Sequence, residues 1–182
     1  KAALGGVNTS TLDPVTGLHS MPFFQVQLTF LLERIKQSMV KRFGILFADV
    51  IQWDDLSSQM TGQELDDFQR RLAHQFKSSL RLKTTTAWSV DDGYFLTLME
   101  DVSSEQIPLK LARRIGNDMR KYGGRYNSGL SLHVNLGILV CDGAYVDAVR
   151  IIKDVDLARD LLRNKQFSSP AIFDREMLHA SK

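Results

Sequence analysis

Two β-rich runs, residues 84–90 (TTTAWSV) and 94–100 (YFLTLME), are separated by Asp91-Asp92-Gly93. An Asp-Gly pair between such runs is a strong local signal for a β-hairpin, because glycine readily takes the left-handed backbone a tight turn needs. A hairpin commits the chain to antiparallel pairing. Where a face is buried it also commits the chain to one register, since a slip of one residue reverses every side chain. Phe43–Val50 (FGILFADV) is a run of β-type residues with a single acid, Asp49, near its end, the pattern of a buried strand. Residues 130–140 alternate Leu132, Val134, Leu136 and Ile138 as a further strand, and residues 171–173 read as a short edge strand.

Helical spacing fills the intervals. Residues 22–41 place Phe23, Val26, Phe30, Ile35 and Met39 near one stripe, and residues 63–81 place Phe68, Leu72, Phe76 and Leu80 four apart. Residues 106–122 predict a helix with Pro108 in its first turn, weakened by Gly116 and stopped by Gly123-Gly124. Residues 145–164 predict another. Asp13-Pro14-Val15-Thr16-Gly17-Leu18 is a turn, and residues 1–12, small and polar, read as a linker. Helix, strand, helix, hairpin, helix, strand, helix define an α+β fold (an α/β sandwich), with a central, mostly antiparallel sheet flanked by helices. One domain spans residues 13–178.

Composition narrows the function classes. With 182 residues the chain suits one well-buried core, and 43% hydrophobic with 24% charged residues is the balance of a globular domain. A net charge of +2 with basic and acidic residues intermixed gives no footprint for nucleic acid. No apolar stretch approaches the ~20 residues that cross a bilayer, so this segment is expected to make no membrane contact. The N-terminus has no secretory signal, and the lone Cys141 fits a reducing, cytoplasmic setting. The chain starts without Met, which is expected of a piece of a longer protein and allows the cytoplasmic part of a membrane-anchored one. The four histidines share no ligand spacing, and Cys141 has no nucleophile's neighbours.

Several landmarks in this order resemble the GGDEF family of diguanylate cyclases. Residues 13–20 (DPVTGLHS) resemble the family's opening Asp-x-Leu-Thr-Gly-Leu-x-Asn, and the strand ending at Asp49 resembles its metal strand. The hairpin at residues 91–95 stands where the Gly-Gly-(Asp/Glu)-Glu-Phe turn belongs. Asn135-Leu136-Gly137-Ile138 resembles the Ser-Ile-Gly strand, and Asp156-Leu157-Ala158 leading to Arg163 resembles the closing helix. The resemblance implies a fold similar to the polymerase palm and the adenylyl cyclase core, with the hairpin at the centre of the sheet. It also implies chemistry in which the 3′-hydroxyl of one GTP attacks the α-phosphorus of another across a dimer, with magnesium neutralising the developing charge.

Compared with that pattern, the signature here is degenerate. Asp49 and the carbonyl of Val50 match metal ligands, but the strand's second acid is Ile51, while Trp53 and Asp54 stand for the usual Phe and Lys. Aligned on Phe95, the glycines become Asp91 and Asp92, the metal-binding acid becomes Gly93 and the next Glu becomes Tyr94. The glycines normally admit phosphate close to the backbone. Two carboxylates there would repel it by about 4 kcal/mol per unit pair at 4 Å and an effective dielectric near 20. Ser57 and Asp66 stand at the guanine-reading positions, and Arg163 at that of a phosphate-contacting Lys. The family's inhibitory Arg-x-x-Asp becomes Leu82 and Thr85, with Arg81 and Lys83 nearby. The resemblance therefore implies a vestigial site with weak or absent GTP binding, in a regulatory or dimerising domain beside a sensor or an EAL-type phosphodiesterase domain. No cofactor is expected beyond magnesium carried by any nucleotide still bound. The rivals are a weak cyclase using Asp49 with Asp91 or Asp92, and a silent domain that binds GTP as an allosteric signal through Asp66 and Arg163.

Overall fold

A computed structural model describes residues 11–80, 84–100, 102–126 and 132–180. The order is α1 (Met21–Lys36), β1 (Phe43–Val50), α2 (Trp53–Ser58), α3 (Gly62–Leu80), β2 (Thr86–Ser89), β3 (Tyr94–Met99), α4 (Gln106–Tyr126), β4 (Val134–Cys141), α5 (Ala148–Arg163), β5 (Ala171–Asp174) and α6 (Arg175–His179). The strands form one sheet, β2-β3-β1-β4-β5, antiparallel except for the parallel β4–β5 pair. This is the expected α+β architecture. The hairpin, expected at the centre, instead occupies one side with β2 at the edge, and β1 is central. A segment before α1 covers that edge: His19 pairs with Leu12 and Ala87, and its N–H donates to the Thr86 carbonyl at 2.9 Å.

The period of two along β1 divides the interior. Phe43, Ile45 and Phe47 enter the core beneath α1 and α5, and Leu46, Ala48 and Val50 enter the one beneath α3 and α4. Asp49 has the parity of Phe47 and so faces α5. On β4, the ring of Phe47 crosses Gly137, where a Cβ would stand 2.2 Å from the ring carbon Cζ. That contact explains a glycine in a central strand.

The helices follow their sequences unevenly. In α3, Phe68, Leu72, Phe76 and Leu80 are all buried, and a reciprocal box closes its start. Thr61 N–H donates to Glu64 Oε2 at 3.0 Å, and Glu64 N–H to Thr61 Oγ1 at 3.3 Å. In α1 most of the expected face points outward: Phe24, Leu28, Leu31 and Leu32 are buried and Ile35 packs against their core, while Val26 and Phe30 are 49 and 60% exposed, as is Met39, beyond the helix, at 64%. The helix also ends at Lys36, with Ser38 left-handed at φ 59°. α4 runs through Gly123-Gly124 to Tyr126 despite the weak helix propensity of glycine, and at Gly123 a Cβ would stand 2.9 Å from Leu132 Cγ. The short α2 and α6 had no sequence expectation. Residues 1–10 of the predicted linker, and Arg81, Leu82 and Lys83, lie outside the described residues. Among the described residues no helix is long and apolar enough to cross a membrane.

Candidate functional site

The site lies where the end of β1 meets the hairpin and α5. Asp49 is fully buried and pairs across the sheet with Tyr94 on β3 and Asn135 on β4. The hairpin loop, residues 90–93, is closed by Gly93 N–H donating to Ser89 C=O at 2.8 Å and tied to β1 by Val50 N–H donating to Gly93 C=O at 2.9 Å. Gly93 is left-handed at φ 72°, and a Cβ there would lie 2.2 Å from Trp53 Cγ. The indole N–H of Trp53 donates to Val90 C=O at 2.6 Å and locks the turn from the α2 side. Phe95 pairs with Ala48 and stacks on Phe76, so its inward position is occupied as the hairpin register requires.

Two arginines of α5 neutralise Asp49. Arg163 makes a two-pronged contact, Nε donating to Oδ2 at 2.6 Å and Nη2 to Oδ1 at 2.8 Å. Arg159, one helical turn earlier, donates from Nη2 to Asp49 Oδ1 at 3.2 Å and to Asp92 C=O at 3.3 Å. Its Nη1 donates to Asp156 Oδ1 at 3.0 Å, and its guanidinium carbon stands 3.9 Å from the centre of the Tyr94 ring. Fork-to-carboxylate geometry of this kind is the strong form of an ion pair. The Asp49 hydrogen bond holds the proton of Arg163 more firmly than usual, against the effect of burial. Burial pushes the Tyr94 phenol well above its ordinary range, and the Asp156 carboxylate adds to this. Asp156 itself is raised by burial, with the Arg159 hydrogen bond acting the other way.

The structure brings together Asp49, Arg163, the Asp92 backbone and Tyr94, but not all of the predicted residues. Ser57, on α2, donates to Asp54 C=O at 3.2 Å within its own helix, and Asp66 sits half-buried on α3. Asp91 is exposed, and the Asp92 carboxylate turns back to accept from Ser89 Oγ at 3.4 Å. Arg159 escaped the sequence reading because an arginine on a helix is ordinarily a solvated charge. The available signal was its spacing of four from Arg163, which puts both on the side facing an acid-ended strand. His179, given no role from sequence, sits 2.9 Å from the buried Asp154, which also accepts from Tyr145 Oη at 2.6 Å.

Magnesium requires near-octahedral oxygens at about 2.0–2.1 Å, and the residues present do not supply them. Both Asp49 oxygens are taken by guanidinium, Ile51 offers only hydrocarbon, and Gly93 has no side chain and no room for one beside Trp53. Among the described residues no group of three or more His, Cys, Asp or Glu is placed to hold a metal.

An acid-ended central strand thus lies beside a hairpin in an α+β sheet with helices packed on both faces. The model of the GGDEF domain of diguanylate cyclases matches residues 10–168, and the chain belongs to that family. Solved structures agree in fold. The GGDEF domain of TpbB (YfiN) from Pseudomonas aeruginosa superposes with a TM-score of 0.71 at 18% identity, over 91% of this chain and 95% of that one. SiaD from the same organism, a diguanylate cyclase in complex with its activator SiaC, gives 0.72 at 19% identity, over 91% of this chain and 62% of that one. The S helix-GGDEF-EAL portion of LapD from Vibrio cholerae, bound to c-di-GMP, gives 0.68 at 17% identity, over 94% of this chain and 38% of that one. The sequence matches no curated protein.

Proposed function

We propose that this GGDEF domain is catalytically silent and acts as a regulatory or dimerising module of a larger bacterial cyclic-di-GMP signalling protein. The observation that carries the reading is the pairing of Asp49 with guanidinium: both carboxylate oxygens accept from Arg163, and Arg159 adds a third contact. The phosphoryl transfer of this family depends on metal ions held between that strand and the hairpin. Here the hairpin supplies Gly93 and Tyr94 in place of two acids. Asp91 and Asp92 add repulsion toward a triphosphate, so GTP binding is weak or absent, and magnesium enters only with nucleotide that still binds. A weak cyclase would need a hairpin carboxylate turned to Asp49, whereas Asp92 presents its carbonyl to Arg159.

The site residues are accordingly vestigial: Asp49 and Val50 for metal, Ser57, Asp66 and Arg163 for nucleotide, and residues 91–95 for the loop. The partners that fit this role are a second copy, a sensor domain, or an EAL-type domain such as LapD carries, in a cytoplasmic setting. Incubation with GTP and magnesium, read by chromatography for cyclic di-GMP and by calorimetry for binding, tests the reading. The expected result is no product and no tight heat of binding; product above the level of a no-protein control defeats it.

A further inference from the structure

We infer that Arg159 and Arg163 stand in for the divalent cations at this site, making Asp49 the anchor of an internal charge lock that ties α5 to β1 and the hairpin. The inference rests on the silent-domain reading and deepens it: the site is held closed by the protein's own cations.

Four observations converge on it. Asp49 is wholly buried in the central strand, where an isolated carboxylate is strongly disfavoured, so it requires a permanent counter-charge. Arg163 provides one in two-pronged geometry, and its side chain is only one-third exposed. Arg159, whose side chain is 10% exposed, reaches three structural parts at once: Asp49 on β1, the Asp92 carbonyl in the hairpin loop and Asp156 on its own helix. Its guanidinium also covers Tyr94, the residue that replaces an acid, with a cation–π contact that an acid could not make. The lock is matched on the other sheet face by Trp53 wedged against Gly93. The hairpin therefore brings no acid side chain to Asp49, and the two arginines of α5 supply the charge that faces it.

The sign of a single substitution separates this from an empty metal site. Where carboxylates await a metal, removing one charge relieves repulsion and raises thermal stability. In a charge lock, Asp49→Asn leaves Arg163 without its counter-ion and Arg159 with Asp156 alone, and lowers it. Breaking a buried pair, scaled to a domain of this size, corresponds to a fall in Tm of roughly 6–20 °C. Arg163→Met should lower Tm in the wild-type background and have much less effect in the Asp49→Asn background, as coupled residues do.

A second measurement needs only the wild-type chain. Substoichiometric Mn²⁺ broadens amide resonances near a bound ion, and those of Asp49, Tyr94 and Asn135 report on this site. The expected result is no selective broadening and no magnesium-dependent change in Tm. Selective broadening at those amides, or a rise in Tm with Asp49→Asn, overturns the lock. Broadening without cyclic di-GMP production would sink the lock and leave the silent-domain reading standing. Production with no metal near Asp49 would do the reverse.

Discussion

Gly93 shows how closely one residue can be fixed by backbone and neighbour together. Its φ of 72° and the Trp53 ring packed against it mean that any side chain there meets strain and collision together. Gly93→Glu, the substitution that would restore a family-like acid, is expected to destabilise the domain by about 2–4 kcal/mol without creating cyclase activity. Urea unfolding and a product assay on the same sample check both halves. Gly93→Ala should lose less, because a methyl group displaces less of the indole. The turn itself was readable from Asp92-Gly93, since turn chemistry is local. The Trp53 contact was not, because it joins positions forty residues apart across a tertiary contact.

At the level of elements, α1 illustrates how an apolar helix can mislead. Met21–Leu32 contains no charged residue, so two apolar stripes overlap on it: Phe23, Val26 and Phe30, and Phe24, Leu28, Leu31 and Leu32. Periodicity alone cannot rank them; the sheet selected the second. Phe24→Ala is expected to cost about 3–5 kcal/mol, and Phe30→Gln to stay within about 0.5 kcal/mol. Chemical denaturation of the two variants tests this, and equal losses would mean that the buried face has been misassigned. By contrast α3 was legible in full, because Phe68, Leu72, Phe76 and Leu80 stand opposite a strongly polar face and leave one choice. α5 was legible as a helix, but the role of Arg159 depended on where β1 would deliver Asp49.

At the scale of the molecule, a buried thiol and two buried phenols among the described residues set an alkaline limit. Burial raises the Cys141 thiol well above its ordinary 9.0, aided by Asp142. Burial also raises Tyr94 and Tyr145 above 10.0, with Asp156 adding to the first and the hydrogen bond to Asp154 adding to the second. In each case the folded chain keeps a proton that the unfolded chain releases. Their contribution is therefore whole below pH 9 and declines as pH climbs through the unfolded values, by up to about 1.4 kcal/mol per pH unit for each group. Unfolding free energies measured from pH 8 to 11 should be level and then fall, and Tyr145→Phe should reduce the slope above pH 10. A curve that rises with pH would contradict the burial of these groups. The charge lock is not part of that decline, since its arginines stay protonated throughout.

The amino-acid order by itself determined the strands, the hairpin and the α+β class, because each depends on neighbours a few residues apart. Tertiary structure alone decided which stripe of α1 is core, that β1 and not the hairpin is central, and what Asp49 touches. Those outcomes depend on which surfaces meet when the sheet closes. A buried carboxylate takes whatever cation the fold brings within reach, and here α5 brings Arg159 and Arg163.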